Sequence, residues 1–458
     1  MTASSIGEIM LYDDFLQKKA VTDVYGGFEC QSLNRHLFDF QIPIVSWALK
    51  KARAAIFADT GLGKTLMQLS WADAVTKYTG GKVLIVTPLC IATQTINEGL
   101  KFSIPIKYCR HQSEVEDDLI IITNYEMLYH FDESKFIGVV LDESSILKGE
   151  DSKTRMAVIK KFENTPYRLS CTATPSPNDY MELGNQAEFL GIMRHVEMLA
   201  MFFTHDGKET AKWRLKGHGK TKFWEWLSTW AVFIRNPSDL GFDGSKYVLP
   251  PLNLIEHIIH VDLPVANTMT ERRVARKLSV SDRCELIAHR VNSTSESYVV
   301  WCNLNEESAL LSRLIPDSVE VYGSLPSDQK ESRLLSFSQG HSRVIISKAK
   351  ISGFGLNWQH CRNVAFVGLD DSFEKYYQAV RRCYRFGQTQ EVNVDLVYTS
   401  AEGAVKENLE RKQKQADIMA EEMINHMREF TKQEVLSTVK ERTDYIPTKQ
   451  LETPSWLF

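Results

Sequence analysis

The stretch Ala58-Asp59-Thr60-Gly61-Leu62-Gly63-Lys64-Thr65 places two glycines ahead of a Lys-Thr pair, between an apolar run and a helical periodicity. In that setting the backbone of Thr60, Gly61, Leu62 and Gly63 can curl so that its N–H groups face a polyphosphate. Lys64 would neutralise β- and γ-phosphate oxygens, and the Thr65 hydroxyl would bind Mg2+. Ala58 stands where the strict pattern has its first glycine; a glycine-rich turn with a coincidental Lys-Thr pair is the alternative. A second group is Asp142-Glu143-Ser144-Ser145, directly after the apolar run Ile137–Leu141. A carboxylate at a buried strand end is costly unless compensated. Mg2+ held by Asp142 would compensate it, and Glu143 would orient and activate a water. Taken alone, the pair also fits a solvated strand end or a helix cap. Paired with the phosphate loop, it reads as catalytic. Far downstream, Arg382 and Arg385 stand three residues apart within Tyr377–Gln388. On a helix they would share one face and could hold an anion between them, although a solvated basic face has the same spacing. An arginine reaching a γ-phosphate is worth roughly 10³–10⁵ in rate.

These groups need elements to position them, and the chain supplies an α/β pattern. Apolar strand candidates are Ala54–Ala58, Val83–Thr87, Leu119–Thr123, Ile137–Leu141 and Tyr167–Ala173 in the first half. Tyr298–Cys302, Val319–Tyr322, Val344–Ser347, Val364–Gly368 and Val392–Tyr398 repeat the theme in the second. Continuous apolar strands separated by helical stretches indicate parallel sheets covered on both faces, so two α/β lobes are expected. Phe189–Asp262 differs, with Trp213, Trp224, Trp226 and Trp230, a basic run and the Pro250-Pro251 pair. The expected division is a first lobe over 1–245, including a helical insertion at about 189–245. A linker over 246–262, a second lobe over 263–400 and a helical extension with a tail over 401–458 follow.

The chain of 458 residues is 43% hydrophobic and 24% charged, which excludes a mostly disordered or fibrous protein. Its net charge of −4 excludes a global basic footprint, so any nucleic-acid surface must be local. None of the eight cysteines forms a CxxC pair or a zinc-ligand cluster, which suits reduced thiols. The first 17 residues lack a signal-peptide pattern, and no apolar stretch approaches the roughly 18 residues of a membrane span. A soluble cytoplasmic protein without a membrane partner is expected.

In order along the chain, these segments resemble the motifs of superfamily 2 helicases, and among them the SNF2-type DNA translocases. Arg385-Phe386-Gly387-Gln388 is similar to the Arg-Ile-Gly-Gln that closes the last SNF2 motif. Phe40-Gln41 resembles the adenine-reading glutamine motif. Thr87-Pro88 and Thr123-Asn124-Tyr125-Glu126 resemble motifs that touch the nucleic-acid backbone. Ser170-Cys171-Thr172-Ala173-Thr174-Pro175 with Asn178 resembles the motif coupling hydrolysis to movement. Ser347 and Gly353-Phe354-Gly355-Leu356-Asn357 resemble a second-lobe motif contacting both DNA and ATP, and Leu249-Pro250-Pro251 the inter-lobe linker. The matches run from Phe40 to Gln388, about three-quarters of the chain.

The resemblance implies two RecA-like lobes in tandem, ATP and Mg2+ as cofactors, and Lys64, Asp142, Glu143, Arg382 and Arg385 as catalytic residues. It also implies Gln41, Gly353 and Gly355 at the nucleotide, and relatives among compact bacterial and phage helicases. The sequence departs from the SNF2 pattern in its Asp-Glu-Ser-Ser, in Asp371-Ser372-Phe373-Glu374 for Trp-Asn-Pro, and in Arg381, where an acid is common.

DNA is the expected partner, with duplex favoured and single strands possible. Between Lys208 and Lys222, Lys208, Lys212, Arg214, Lys216, Lys220 and Lys222 face a single acid, Glu209. That local excess of positive charge is the best candidate for phosphate contact, with a solvated loop as the alternative. Trp224, Trp226 and Trp230 read as core. Trp358, directly after Asn357, is a base-stacking candidate and equally a packing residue. A strand-separating helicase or the motor of a restriction or repair complex is the rival function, and an RNA helicase a more distant one. No nuclease constellation is recognisable, so cleavage would need a protein partner such as a nuclease; a replication factor is another possible partner.

Overall fold

The computed structural model describes residues 26–148, 153–176, 179–206, 209–266, 268–352, 356–369 and 372–436. Its first sheet contains β1 (Arg53–Ala58), β2 (Lys82–Thr87), β3 (Lys107–Tyr108), β4 (Ile120–Asn124), β5 (Phe136–Asp142) and β6 (Tyr167–Thr172). A hairpin of β7 (Phe203–Asp206) and β8 (Glu209–Leu215) follows, and then β9 (Ala231–Ile234). The second sheet contains β10 (Leu252–Ile259), β11 (Tyr298–Cys302), β12 (Ser318–Val321), β13 (Val344–Lys348), β14 (Asn363–Phe366) and β15 (Val392–Thr399). The orders are β3-β4-β2-β5-β6-β1-β9 and β10-β15-β14-β11-β13-β12. Every pairing in both sheets is parallel, and among the described residues only β7–β8 is antiparallel. These are the two RecA-like lobes.

The strands are continuously apolar because each sheet is covered twice. Side chains alternate between faces, so Ala54, Ile56 and Ala58 of β1 enter one core while Ala55 and Phe57 enter the other. Val83 and Ile85 of β2 likewise part from Leu84 and Val86. The second lobe repeats this arrangement, with Val299 and Trp301 of β11 on one face and Val300 and Cys302 on the other.

Three expectations about organisation change. The insertion at 189–245 is not a wholly helical appendage: β9 pairs with β1 and completes the first sheet, and β7–β8 is a hairpin. The stretch 252–259 is not linker, because β10 pairs with β15 from Leu252↔Val392 to Ile259↔Thr399. The connection is therefore confined to a few residues around Pro250-Pro251. The C-terminal helix Gly403–Val435 is no separate extension. Its Val405 and Leu409 enter the second lobe's core, whereas Ala420, Met423, Met427 and Val435 enter the cores of the first. Among the described residues, no helix is long and apolar enough to cross a membrane.

Candidate active site between the lobes

The phosphate loop joins β1 to the helix Lys64–Thr79. Gly61 and Gly63 have φ of +89° and +74°, a region that L side chains enter only with strain. Both also lack room for a side chain. A Cβ on Gly63 would lie 2.4 Å from Gln41 Nε2, and one on Gly61 would lie 2.5 Å from Phe386 Cβ of the other lobe. Gln41 is fully buried, accepts from the Phe38 N–H at 2.9 Å and donates to Leu62 O at 2.8 Å. It thereby holds the loop from behind. The Thr60 N–H donates to Asp59 Oδ1 at 2.6 Å. Lys64 Nζ donates to Ala58 O at 2.7 Å and Asp59 O at 3.2 Å. Burial pulls its pKa down, opposed by the nearby carboxylates of Glu143, Asp59 and Asp142. Thr65 follows it in the first turn of the helix.

Asp142 ends β5 and is buried. Its Oδ2 accepts from Thr87 Oγ1 at 3.0 Å, and its backbone carbonyl accepts from the Tyr125 hydroxyl at 2.8 Å. Burial, followed by the charge of Glu143, raises its pKa to about 7, with Thr87 and Lys64 opposing. Glu143 has a φ of +53°, which turns its half-buried side chain out of the strand direction. It lines a cavity of about 650 Å³ between the lobes, together with Pro88 and Lys148 of the first lobe and Lys330, Lys350 and Leu356 of the second.

The two arginines do not share a helix face, because the helix Phe373–Val380 stops before them. They converge instead on one acceptor: Arg382 Nη1 and Arg385 Nη1 donate to Leu356 O at 3.0 and 3.3 Å. Arg382 is buried, with Nε on Gln378 O at 3.1 Å. These two bonds engage Arg382 with carbonyls of its own lobe. Arg385 is mostly buried but not fully enclosed. Burial lowers its pKa, while the Glu98 and Glu143 carboxylates of the first lobe oppose that shift. Of the pair, Arg385 faces the cleft.

Contacts that the sequence reading missed cross the same cleft. Asp59 accepts from the Tyr377 hydroxyl at 3.0 Å and pairs with Arg381 Nη2 at 3.3 Å. Lys148 pairs with Glu374. Arg381 occupies a position where the SNF2 pattern commonly has an acid, and its partner lies 322 residues away. No local signal could have joined them.

The nucleic-acid candidates divide sharply. Thr87 is fully buried and serves Asp142. Thr123 is buried, and so is Asn124, whose Oδ1 caps a 3-10 turn by accepting from the Met127 N–H. Ser347 is buried and donates to Val321 O at 2.9 Å. Trp358 is fully buried, stacks on Trp301 and donates to Ser338 Oγ at 2.9 Å. All five side chains are buried, and those of Thr87, Asn124, Ser347 and Trp358 are already bonded inside a lobe, which leaves these four little to offer a phosphate or a base. Pro88 and Asn357 are accessible.

The basic run is also largely committed. Lys216 donates to Ala200 O and Met201 O, Lys220 pairs with Glu422 and Lys222 pairs with Glu225. Arg214 is exposed. Gly353, Gly355, Asn178, Lys208 and the side chain of Lys212 lie outside the described residues, as does the tail beyond 436.

Residues 40–205 match the SNF2-related domain, and residues 280–387 match the helicase conserved C-terminal domain. Among solved structures, the chain is similar to a Sulfolobus solfataricus SWI2/SNF2 ATPase core in complex with dsDNA. That match has 18% identity and a TM-score of 0.43, covering 89% of this chain and 98% of the other. Among curated proteins no match is found.

Proposed function

Because this chain is an SNF2-like ATPase of helicase superfamily 2, we propose that it couples ATP hydrolysis in the inter-lobe cleft to translocation along DNA, with duplex as the preferred track. The observation that carries this reading is the division of one site between two lobes. Lys64 and Glu143 belong to the first, and Arg385 faces them from the second. A group that must be approached from both sides makes closure and chemistry interdependent.

The residues fit Mg2+. Asp142 and Glu143 are adjacent acids at a desolvated strand end, and the pressure on Asp142 to take up a proton is what a bound cation relieves. Thr65 and Asp142 would hold the ion, which would neutralise phosphate charge. In the same reading Lys64 exchanges its two carbonyl acceptors for phosphate oxygens. Glu143 orients the attacking water, and Arg385 leaves Leu356 O for the γ-phosphate. Asp59, held by Tyr377 and Arg381, keeps the second lobe against the loop while this happens.

The test is ATP turnover by the purified protein with no nucleic acid, duplex DNA, single-stranded DNA or RNA, with Lys64→Ala as the blank. Stimulation chiefly by duplex supports translocation on duplex. Stimulation by single strands alone would replace it with a strand-separating helicase, and by RNA alone would remove DNA from the reading.

A further inference from the structure

The helix Leu183–Leu190 buries two neighbouring amides completely, Asn185 and Gln186. An amide out of water is costly unless its donor and acceptor groups are bonded, and here both donors are bonded to a single turn. Gln186 Nε2 donates to Ser144 O at 2.9 Å, while its Oε1 accepts from Ser170 Oγ of β6. Asn185 Nδ2 donates to Leu147 O at 2.9 Å, and its Oδ1 accepts from Arg155 Nη1 at 2.6 Å. Both amides thus hold the 3-10 turn Ser144–Lys148, which directly follows Asp142-Glu143.

That turn has two consequential ends. At its start is Glu143, whose left-handed backbone persists only where surrounding structure over-determines it. The carbonyl next along the chain is the one Gln186 holds. At its finish is Lys148, paired with Glu374 on the second lobe's helix Phe373–Val380, the helix that also carries Tyr377 to Asp59. A shift of the turn would therefore re-aim the hydrolytic carboxylate and the cross-lobe pair together.

We propose that Gln186 is a positioning residue for hydrolysis: by clamping Ser144 to Ser170 it holds Glu143 in its working orientation and registers that orientation to the opposite lobe through Lys148–Glu374. The proposal rests on the assignment of Glu143 as the residue that orients the attacking water, and not on the choice of DNA.

Gln186→Met keeps the length of the side chain and removes both bonds, while Ser170→Ala removes only one. The expected result is a kcat for ATP lowered roughly ten- to hundredfold in the first variant and less in the second. KM and the affinity for a fluorescent ADP analogue stay unchanged, because Lys64 and the loop are untouched. Hydrogen exchange across 144–148 rises in Gln186→Met relative to wild type. An unchanged kcat in both variants would overturn the proposal, as would parallel losses of kcat, nucleotide affinity and melting temperature, which mark a general packing defect. If the wild type turns over no ATP with any nucleic acid, the hydrolytic reading fails by itself. The clamp is then judged by exchange alone, and unchanged protection of 144–148 in Gln186→Met rejects it.

Discussion

Glu143 and Asp142 are neighbours with different surroundings, and that difference supports the separate roles proposed for them. Glu143 lines the cleft, whereas Asp142 is buried beneath Thr87. Glu143→Gln is expected to lower kcat by about 10²–10⁴ with nucleotide affinity retained, checked by steady-state kinetics beside a fluorescent-nucleotide titration. Asp142 yields a pH prediction. Burial raises its pKa to about 7 from the 3.8 of a free aspartate, so the folded protein binds more protons than the unfolded chain between those values. Stability of the nucleotide-free protein therefore falls as pH rises through that window. Asp142→Asn should raise the melting temperature by a few degrees near pH ~8, and the gain should vanish toward pH ~4. A gain independent of pH would contradict the assignment.

At the scale of elements, the hairpin β7–β8 and the helix Lys220–Ser228 replace the flexible basic loop that composition suggests. Pairing with Glu422 and Glu225 removes the net charge of Lys220 and Lys222 from a passing duplex. Arg214→Ala should weaken DNA binding and reduce the slope of log affinity against log salt by about 1. Lys220→Ala and Lys222→Ala should leave that slope unchanged. The measurement is fluorescence anisotropy on duplex DNA at several salt concentrations. Equal slopes for all three variants and wild type would exclude the hairpin from the DNA path.

Over the whole molecule, the C-terminal helix begins in the second lobe's core and ends against the first lobe's helix Gln41–Lys51. There Glu434 pairs with Lys51 at 3.1 Å, both side chains about 3% exposed. The helix that carries the loop-holding Gln41 is thus tied to the end of a chain segment rooted in the other lobe. Removing one partner of a buried pair is destabilising, by up to about 3–5 kcal/mol where nothing else compensates the remaining charge. Glu434→Ala should lower the urea midpoint of unfolding accordingly, and Lys51→Met combined with Glu434→Leu should recover most of it. Arg235–Asp417 at 3.0 Å and Trp224 stacked on His426 brace the same helix midway, so loss of Glu434 should not detach it.

The sequence by itself determined the strands and the local chemistry. Continuous apolar runs predict β1, β2, β4–β6 and β11–β15 within a residue or two, because parallel strands buried on both faces leave an unambiguous pattern. The phosphate loop and Asp142-Glu143 are legible because each is a few consecutive residues whose conformation is set locally. Long-range pairing decided the rest. Nothing near Ala231–Ile234 or Leu252–Ile259 says which sheet edge each will join, and alternation cannot tell a linker from an edge strand. Thr87, Ser347 and Trp358 read as contacts with nucleic acid until burial shows that their polar atoms are already satisfied inside the protein. Asp59–Arg381, Lys148–Glu374 and the Gln186 clamp join residues brought together only by the docking of lobes and strands, so no spacing in the chain encodes them.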